Sequence, residues 1–317
     1  LSGMGPLAVL LMISLMVGDW YVAGRAAREM LHDRMANAAD IAAQNVPYFL
    51  QTGQNLIAQL SEDPRLYEES RANLDPILQQ HLRQVPFFRQ LFLLDTEGRL
   101  ISSYPPAIYD DQSTSSEEQM GVQLALEGVP VQSYTIPPEV QASSAQVAFI
   151  ASVRDTGGAV RGVLIGHSDL ASNPLTRPLL ISLDNLAGVD GTGLLVDEDG
   201  RIVYHPDASL LMSDFPVQLQ GGKSFYDDTA PDGTRRLVYA QQAVGYPWVV
   251  VFSIPARRAM ALALEIATPL LGMIVLLSLA SLFVLRIGLR VVTGSLKNLS
   301  LEAGRISQGQ LDNPLKI

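Results

Sequence analysis

Two stretches of this chain are apolar, and the sequence between them alternates between helical and strand periodicity. Residues 266 to 285 contain no charged side chain. That length matches the roughly 20 residues a helix needs to span a hydrocarbon core about 30 Å thick. The segment is predicted to be a transmembrane helix. A second apolar run, residues 1 to 17, ends at Gly18, Asp19, Trp20 and Tyr21, with an aromatic pair where membrane-interface belts occur. It is predicted to be a first membrane helix. The alternative is a cleaved leader, for which Ala23 and Gly24 are small enough, although no basic segment precedes the run.

From residue 25 to about 60 glycine is absent apart from Gly53, and Met30, Arg34, Ala38, Ile41 and Ala42 recur at helical spacing. This predicts one long helix, with a kink or short break near Asn45 imposed by Pro47. A second helix is predicted over residues 73 to 84, ending before Pro86. The period then falls to two. Residues 88 to 94 and 99 to 104 read as strands joined by a tight turn at 95 to 98, with Gly98 where a left-handed conformation costs least.

About 100 residues on, the same phrase recurs. Leu94-Asp95-Thr96-Glu97-Gly98-Arg99-Leu100-Ile101 is answered by Val196-Asp197-Glu198-Asp199-Gly200-Arg201-Ile202-Val203. Strands at 146 to 153 and 161 to 166 in the first copy are answered by 235 to 241 and 248 to 253 in the second. Residues 173 to 186, after Ser172 and carrying Leu175, Leu179, Leu180 and Leu183, read as the connecting helix. The fold class is α+β: a long N-terminal helix and two tandem antiparallel-sheet modules between two transmembrane helices. The predicted divisions are 1–24 for the first membrane helix, 25–186 for the long helix and membrane-distal module, 187–258 for the membrane-proximal module, 259–286 for the second membrane helix, and 287–317 for a C-terminal coil.

Charge sets the orientation. Arg286, Arg290, Lys297 and Arg305 follow the second span with only Glu302 opposing them, so the C-terminus is predicted to be cytoplasmic. Arg257 and Arg258 lie on the other side, but a long segment crosses largely regardless of charge. Residues 25 to 258 are therefore predicted to be extracytoplasmic in a multi-pass protein of the inner (plasma) membrane. A hydrophobic content of 48% and a mean hydropathy of +0.19 suit a chain partly in lipid. The external segment holds 17 Lys and Arg against 28 Asp and Glu, an acidic balance that argues against nucleic acid as a partner. With no cysteine, disulfides, Cys nucleophiles and Cys-ligated zinc are excluded.

Residues 25 to 258 resemble the double Cache sensor domain, whose long helix carries two PAS-like modules. The phrase from Gly191-Thr192-Gly193 through Tyr204-His205-Pro206-Asp207 carries the resemblance to the second module. The C-terminal coil resembles a HAMP relay domain. Val292, Leu296, Leu299, Ala303 and Ile306 step by heptad a/d intervals, and Gly309, Leu311 and Leu315 match the HAMP connector. Thr293-Gly294 departs from the proline many members carry there. A short amphipathic helix on a membrane surface is the plainer reading of the stripe. The HAMP resemblance implies half of that domain, a parallel homodimer through transmembrane and HAMP helices, and an effector beyond Ile317: a histidine kinase, a chemotaxis module, a cyclic-di-nucleotide enzyme or a phosphatase.

The double Cache resemblance also implies a small-molecule ligand, an amine or a carboxylate, in a pocket on the concave face of the distal sheet. Tyr104, Tyr109, Tyr134, Phe149 and Ala151 are the candidate walls, with Arg154 and Asp169 as charged candidates. Tyrosine offers both an apolar face and a hydroxyl. Asp169 matches the position where amino-acid-binding members hold the ligand ammonium group; a plain turn aspartate is the alternative. The Arg-x-Trp-Tyr motif of those members is missing, and residues 113 to 127 contain neither Arg nor Trp.

No catalytic constellation accompanies this. His32, His81, His167 and His205 are dispersed, without zinc spacing, and no G-x-S-x-G, Walker or dinucleotide motif occurs. The acidic runs Asp110-Asp111, Glu117-Glu118 and Asp197-Glu198-Asp199 read as solvated turns, since none has the ligand pattern of a calcium loop. No cofactor, metal or enzymatic activity is expected within this chain. Two other readings are an anchored extracytoplasmic hydrolase and a ligand-free accessory subunit that keeps a sensor fold.

Overall fold

The computed structural model describes residues 4–109, 114–138, 142–217, 222–230 and 232–307. The chain divides into two compact units, Met30–Arg258 and a second formed by Leu1–Glu29 with Ala259–Ile317.

In the first unit, two five-stranded antiparallel sheets share one topology. The distal sheet runs β2(Leu100–Tyr104), β1(Gln90–Leu94), β5(Val160–Asp169), β4(Gln146–Arg154), β3(Val131–Ile136) in spatial order. The proximal sheet repeats this as β7(Ile202–Tyr204), β6(Thr192–Val196), β10(Val249–Pro255), β9(Arg235–Gln242), β8(Lys223–Thr229). Even the irregularities recur: the β1–β2 register shifts at Leu93/Leu94 and the β6–β7 register at Leu195/Val196. The internal repeat in the sequence is thus a structural duplication.

The two hairpins use the same chemistry. Asp95 Oδ1 accepts from the backbone N–H of Glu97 and Arg99 at 2.9 and 2.8 Å, and Asp197 Oδ1 accepts from Asp199 and Arg201 at 3.0 and 2.8 Å. Each second carboxylate oxygen takes the guanidinium four residues on, Arg99 Nε at 3.0 Å and Arg201 Nε at 3.2 Å. The aspartate closes an Asx-type turn, and Gly98 and Gly200 supply the left-handed position with φ of 76° and 82°.

Both sheets pack side chains against α1(Met4–Ser61). Phe49 stacks on Phe87 at 5.3 Å between ring centroids and meets Phe149 of β4 edge-on at 5.8 Å. Toward the N-terminal end of this unit, the His32 ring packs against Phe225 and Tyr239 of the proximal sheet at 5.0 and 5.5 Å. Nearby, Gln241 Nε2 donates to Asp40 Oδ1. The helix is continuous through Pro47, so the chain does not make the short break that was one of the two expectations there. Val46, Phe49 and Leu50 around the proline are buried, and the Asn45 amide donates to Ile41 O at 2.8 Å, so packing holds a turn that a proline alone would loosen.

Short helices complete the unit: α2(Arg65–Glu68), α3(Arg71–Gln84), α4(Ser116–Leu126) and α5(Arg177–Asp184). The predicted connecting helix at 173–186 is a 3-10 turn, Pro174–Thr176, followed by α5. The Asn173 side chain caps the turn by accepting from Leu175 N. α3 lies beside β2, with Asp75 taking a hydrogen bond from Ser102 Oγ. α4 lies on the opposite face, over an apolar cluster of Phe92, Leu94, Val122, Ile136, Ile150 and Ile165.

In the second unit, α6(Ala256–Ser307) follows β10 without a loop. Among the described residues one stretch, Ala256–Gly288, is helical, long and apolar enough to cross a membrane, and it contains the predicted run 266–285. The described part of the first apolar run opens α1, where Leu10, Ile13 and Val17 are exposed. Among the described residues of this unit, Ala23, Ala27, Ala263 and Ala267 are buried small residues. Val292, Leu296, Leu299, Ala303 and Ile306 lie on α6, which continues through Thr293-Gly294. Gly309, Leu311 and Leu315 lie outside the described residues.

Gly53 lets α1 approach the distal sheet: a Cβ there would sit 2.3 Å from the Phe149 ring. Gly53→Ala is expected to destabilise the fold by about 1–3 kcal/mol through overpacking, read by chemical denaturation followed by circular dichroism. A loss below about 0.5 kcal/mol, the range of neutral surface changes, would contradict this packing.

Candidate functional site

Strand alternation divides the candidate residues between the two faces of the distal sheet. Phe92, Ile150, Val163 and Ile165 face α4, so Gln146, His167 and Asp169, in phase with them on β4 and β5, share that face. Phe149 faces α1, where Phe49, Phe87 and Phe88 surround it. Ala151 is in phase with Phe149 and fully buried. Tyr104 also points away from α4, its hydroxyl accepting from Gln79 Nε2 of α3 at 2.6 Å. These three are walls of the α1 and α3 layer and do not line a pocket under α4.

Arg154 is set apart in another way. Gln146 pairs with Asp169 and Arg154 with Val160, at opposite ends of the β4–β5 ladder. The Arg154 guanidinium donates to Gly128 O at 2.5 Å and Gly158 O at 3.2 Å, fastening two loops at the sheet's end. Tyr109 and Tyr134 do reach the α4 face, where both pack on its apolar cluster.

What the structure gathers under the first half of α4 is polar and buried. Ser115 caps this helix, its Oγ accepting from Glu118 N at 3.2 Å. Glu118, at the third helical position, turns inward instead of back to the cap. It is 2% exposed, and its Oε1 lies 2.8 Å from His167 Nε2. The His167 ring lies 4.9 Å from that of Phe92, and Tyr109 lies 5.1 Å from Phe92 on the same side. Burial, with the Glu118 charge second, pushes the Tyr109 phenol well above its ordinary range, so it is a neutral hydroxyl. The expected solvated-turn role of Glu117-Glu118 therefore fails for Glu118, whose carboxylate is a buried part of the α4 face.

One polar atom in this cluster, Gln146 Nε2, has no hydrogen-bond partner, whereas the Tyr109 hydroxyl is paired with Glu118. A buried donor left unpaired costs about 1–3 kcal/mol, so such atoms mark a place where a ligand could repay the cost. Asp169, 5% exposed, closes the cluster at the strand end. Its Oδ1 accepts from Ser144 Oγ at 2.6 Å and Ala171 N at 2.8 Å, and its Oδ2 lies 3.4 Å from Arg89 Nη1. Asp169 is thus a turn aspartate with one oxygen more loosely held. Beside the cluster, toward the β1–β2 hairpin, a cavity of about 570 Å3 is lined by Arg99, Leu100, Tyr109, Gln119, Val122 and Gln123 among others. Tyr109 is common to both.

The site is tied to the proximal module at the same helix. Glu117 Oε1, adjacent to Glu118, accepts from Arg201 Nη1 of the second hairpin at 2.9 Å. Ser144 bridges Tyr204, and Ala145 N donates to Val203 O at 2.8 Å. Glu118, His167 and Gln146 were missed in the sequence. The spacing of His167 two residues before Asp169, on one strand face, was the available signal.

The Cache domain family profile matches residues 23–263. This chain belongs to the Cache domain family. Among solved structures, this Cache protein is similar to the ligand-binding domain of the Pseudomonas aeruginosa PAO1 amino acid chemoreceptor PctC in complex with GABA. They are 19% identical over 69% of this chain and 97% of that one, with a TM-score of 0.54. The Pseudomonas fluorescens chemoreceptor CtaA in complex with L-serine aligns over 73% and 99% at 20% identity and a TM-score of 0.54. The extracellular domain of the putative histidine kinase rpHK1S-Z16 aligns over 72% and 95% at 14% identity and a TM-score of 0.55. At these identities the likeness establishes the fold. No curated protein sequence matches the chain.

Removing an orphaned donor should relieve its cost. Gln146→Met is expected to raise the unliganded protein's stability by about 1 kcal/mol. Chemical denaturation checks this, and a loss of similar size would show that this amide is satisfied in the free protein.

Proposed function

We propose that this chain is the sensing portion of a transmembrane receptor and that it binds a small polar extracytoplasmic ligand beneath α4 of the distal module. The observation that carries this reading is the buried cluster of Glu118, His167, Tyr109, Gln146 and Asp169, in which the Gln146 amide donor is unpaired, on the α4 face of the distal sheet of a Cache fold. Two carboxylates with neutral donors favour a ligand that carries an amine. The described part of the α4 face offers no Arg at the cluster except Arg89, at its rim and already beside Asp169, so an ordinary α-amino acid is a poorer match than an amine with neutral polar groups. The chemoreceptor domains above, two of them solved with GABA and L-serine, support a small amino-bearing ligand as a class.

Signal output in this reading is mechanical. A ligand can shift the receptor only through different affinities for two arrangements. Closure of α4 on the ligand would pull on the Glu117–Arg201 ion pair and hence on the proximal sheet. The last strand of that sheet, β10, passes directly into α6. α6 would cross the membrane and continue as one strand of a dimeric HAMP-like coil through Val292, Leu296, Leu299, Ala303 and Ile306, with Gly309, Leu311 and Leu315 as its connector. Residues 25–258 would then lie outside the cell, and an effector would read the coil from the cytoplasm.

The test is a thermal-shift screen of the full chain in detergent against amines, carboxylates, purines and sugars. A ligand at 100 times its Kd adds about 2.7 kcal/mol of stability. The expected result is a stabilising amine whose effect is lost in Gln146→Met and Asp169→Asn while those variants stay folded. Stabilisation that both variants retain would move the site elsewhere, and no stabilising compound would favour the ligand-free accessory reading.

A further inference from the structure

A second cavity, of about 240 Å3, lies where the free edge of β3 meets α1 and the proximal module. It is smaller than a drug-sized pocket and suits a ligand of a few heavy atoms. Its walls come from three places: Gln54 of α1, Tyr134 and Thr135 of β3, and Glu198, Tyr246 and Trp248 of the proximal module. Apart from Tyr109 and Thr114, the α4 cavity is lined from the β1–β2 hairpin and α4. The two share no lining residue.

The chemistry of this second cavity is selective. Among its described lining residues Glu198 is the sole charged side chain, and three of the others are aromatic. Trp248 is 4% exposed, and its indole N–H donates to Glu198 Oε2 at 2.8 Å, which holds the carboxylate against the ring. Burial, and after it the Glu198 charge, raises the phenol of Tyr134, whose ring packs on the α4 side of β3. Thr135 is 2% exposed and its Oγ1 has no hydrogen-bond partner. Gln54 is committed, donating to Ser133 Oγ at 3.1 Å and accepting from Tyr246 Oη at 3.5 Å.

One carboxylate, no cation and several aromatic faces form a setting in which an organic cation is held by charge and by ring quadrupoles. A divalent metal is ordinarily held by several carboxylate and carbonyl oxygens, and the described lining carries a single carboxylate. We propose that this inter-module cavity is a second binding site, for a small methylated ammonium ion carrying a hydroxyl group, with the cation between Glu198 and the aromatic side chains and the hydroxyl on Thr135 Oγ1. Because α1 and both modules contribute walls, such an ion stabilises one arrangement of the modules and modulates whatever the distal site reports.

The chain contains two tryptophans, so Trp20→Phe leaves Trp248 as the sole tryptophan, which is excited selectively at the red edge of the absorption band. The full chain with that substitution, in lipid nanodiscs, is titrated with choline. The expected result is a saturable change in Trp248 emission at millimolar choline or below. Glu198→Gln and the neutral isostere 3,3-dimethylbutan-1-ol should each weaken it roughly tenfold, the loss of one charge-assisted contact. Thr135→Val, which removes only an unpaired hydroxyl, should weaken choline but leave tetramethylammonium unchanged. Calorimetry of the unsubstituted chain with choline should give the same half-saturation. The proposal is overturned if calorimetry shows no binding in the millimolar range, or if the neutral isostere binds as well as choline.

Discussion

One helix serves as the wall for two sheets. Along α1 the buried positions run from Leu31, Met35, Ala38 and Ala39 through Ala42, Ala43 and Val46 to Phe49, Leu50 and Ile57. The first of these meet the proximal sheet near His32 and Asp40, and the last meet the distal sheet at Phe149. Small residues in the middle and a glycine at position 53 keep the helix close to the sheets. Neither sheet can shift along this helix without opening packed surface, and interiors packed this densely move between discrete arrangements more readily than they deform.

The same constraint explains why the inter-module contacts matter. Beyond the shared helix, the modules are joined by a short backbone bridge at Ser144 and Tyr204, by Arg201 reaching Glu117, and by Trp248 and Glu198 facing the edge of β3. Arg201 is held by Asp197 and Asp199 of its own hairpin while it reaches across. A turn that recurs in both modules for folding has, in the second copy, acquired a partner in the first. α4 thus carries Glu117 toward the proximal module and Glu118 into the distal site on consecutive residues, so movement of one entails movement of the other.

Much of the architecture was legible in the chain because it rests on local backbone chemistry. The Asp-x-x-Gly-Arg turns, the hairpins they close and the 100-residue repeat follow from side chains that bond their own neighbours. Edge strands β3 and β8 were not legible: Val-Gln-Ser-Tyr-Thr-Ile and Lys-Ser-Phe-Tyr-Asp-Asp-Thr mix polar and apolar residues on half-covered surfaces. Nor could the faces of β4 be assigned. Its first eight residues are all buried, so there is no alternation to separate Phe149 and Ala151, which face α1, from Gln146, which faces α4. Glu118 was hidden for a different reason. An acidic pair at a helix N-terminus is ordinarily solvated and dipole-stabilised, and only the tertiary fold brings His167 to it.

The central claim is that the polar cluster under α4 is where a ligand is sensed. The most direct measurement is a crystal structure of the protein with the compound that stabilises it most. The account predicts ligand density between α4 and the distal sheet, in hydrogen-bond contact with Gln146 Nε2 or Tyr109 Oη and with a carboxylate of Glu118 or Asp169. Ligand density elsewhere, with the cluster unchanged beneath it, would contradict the account.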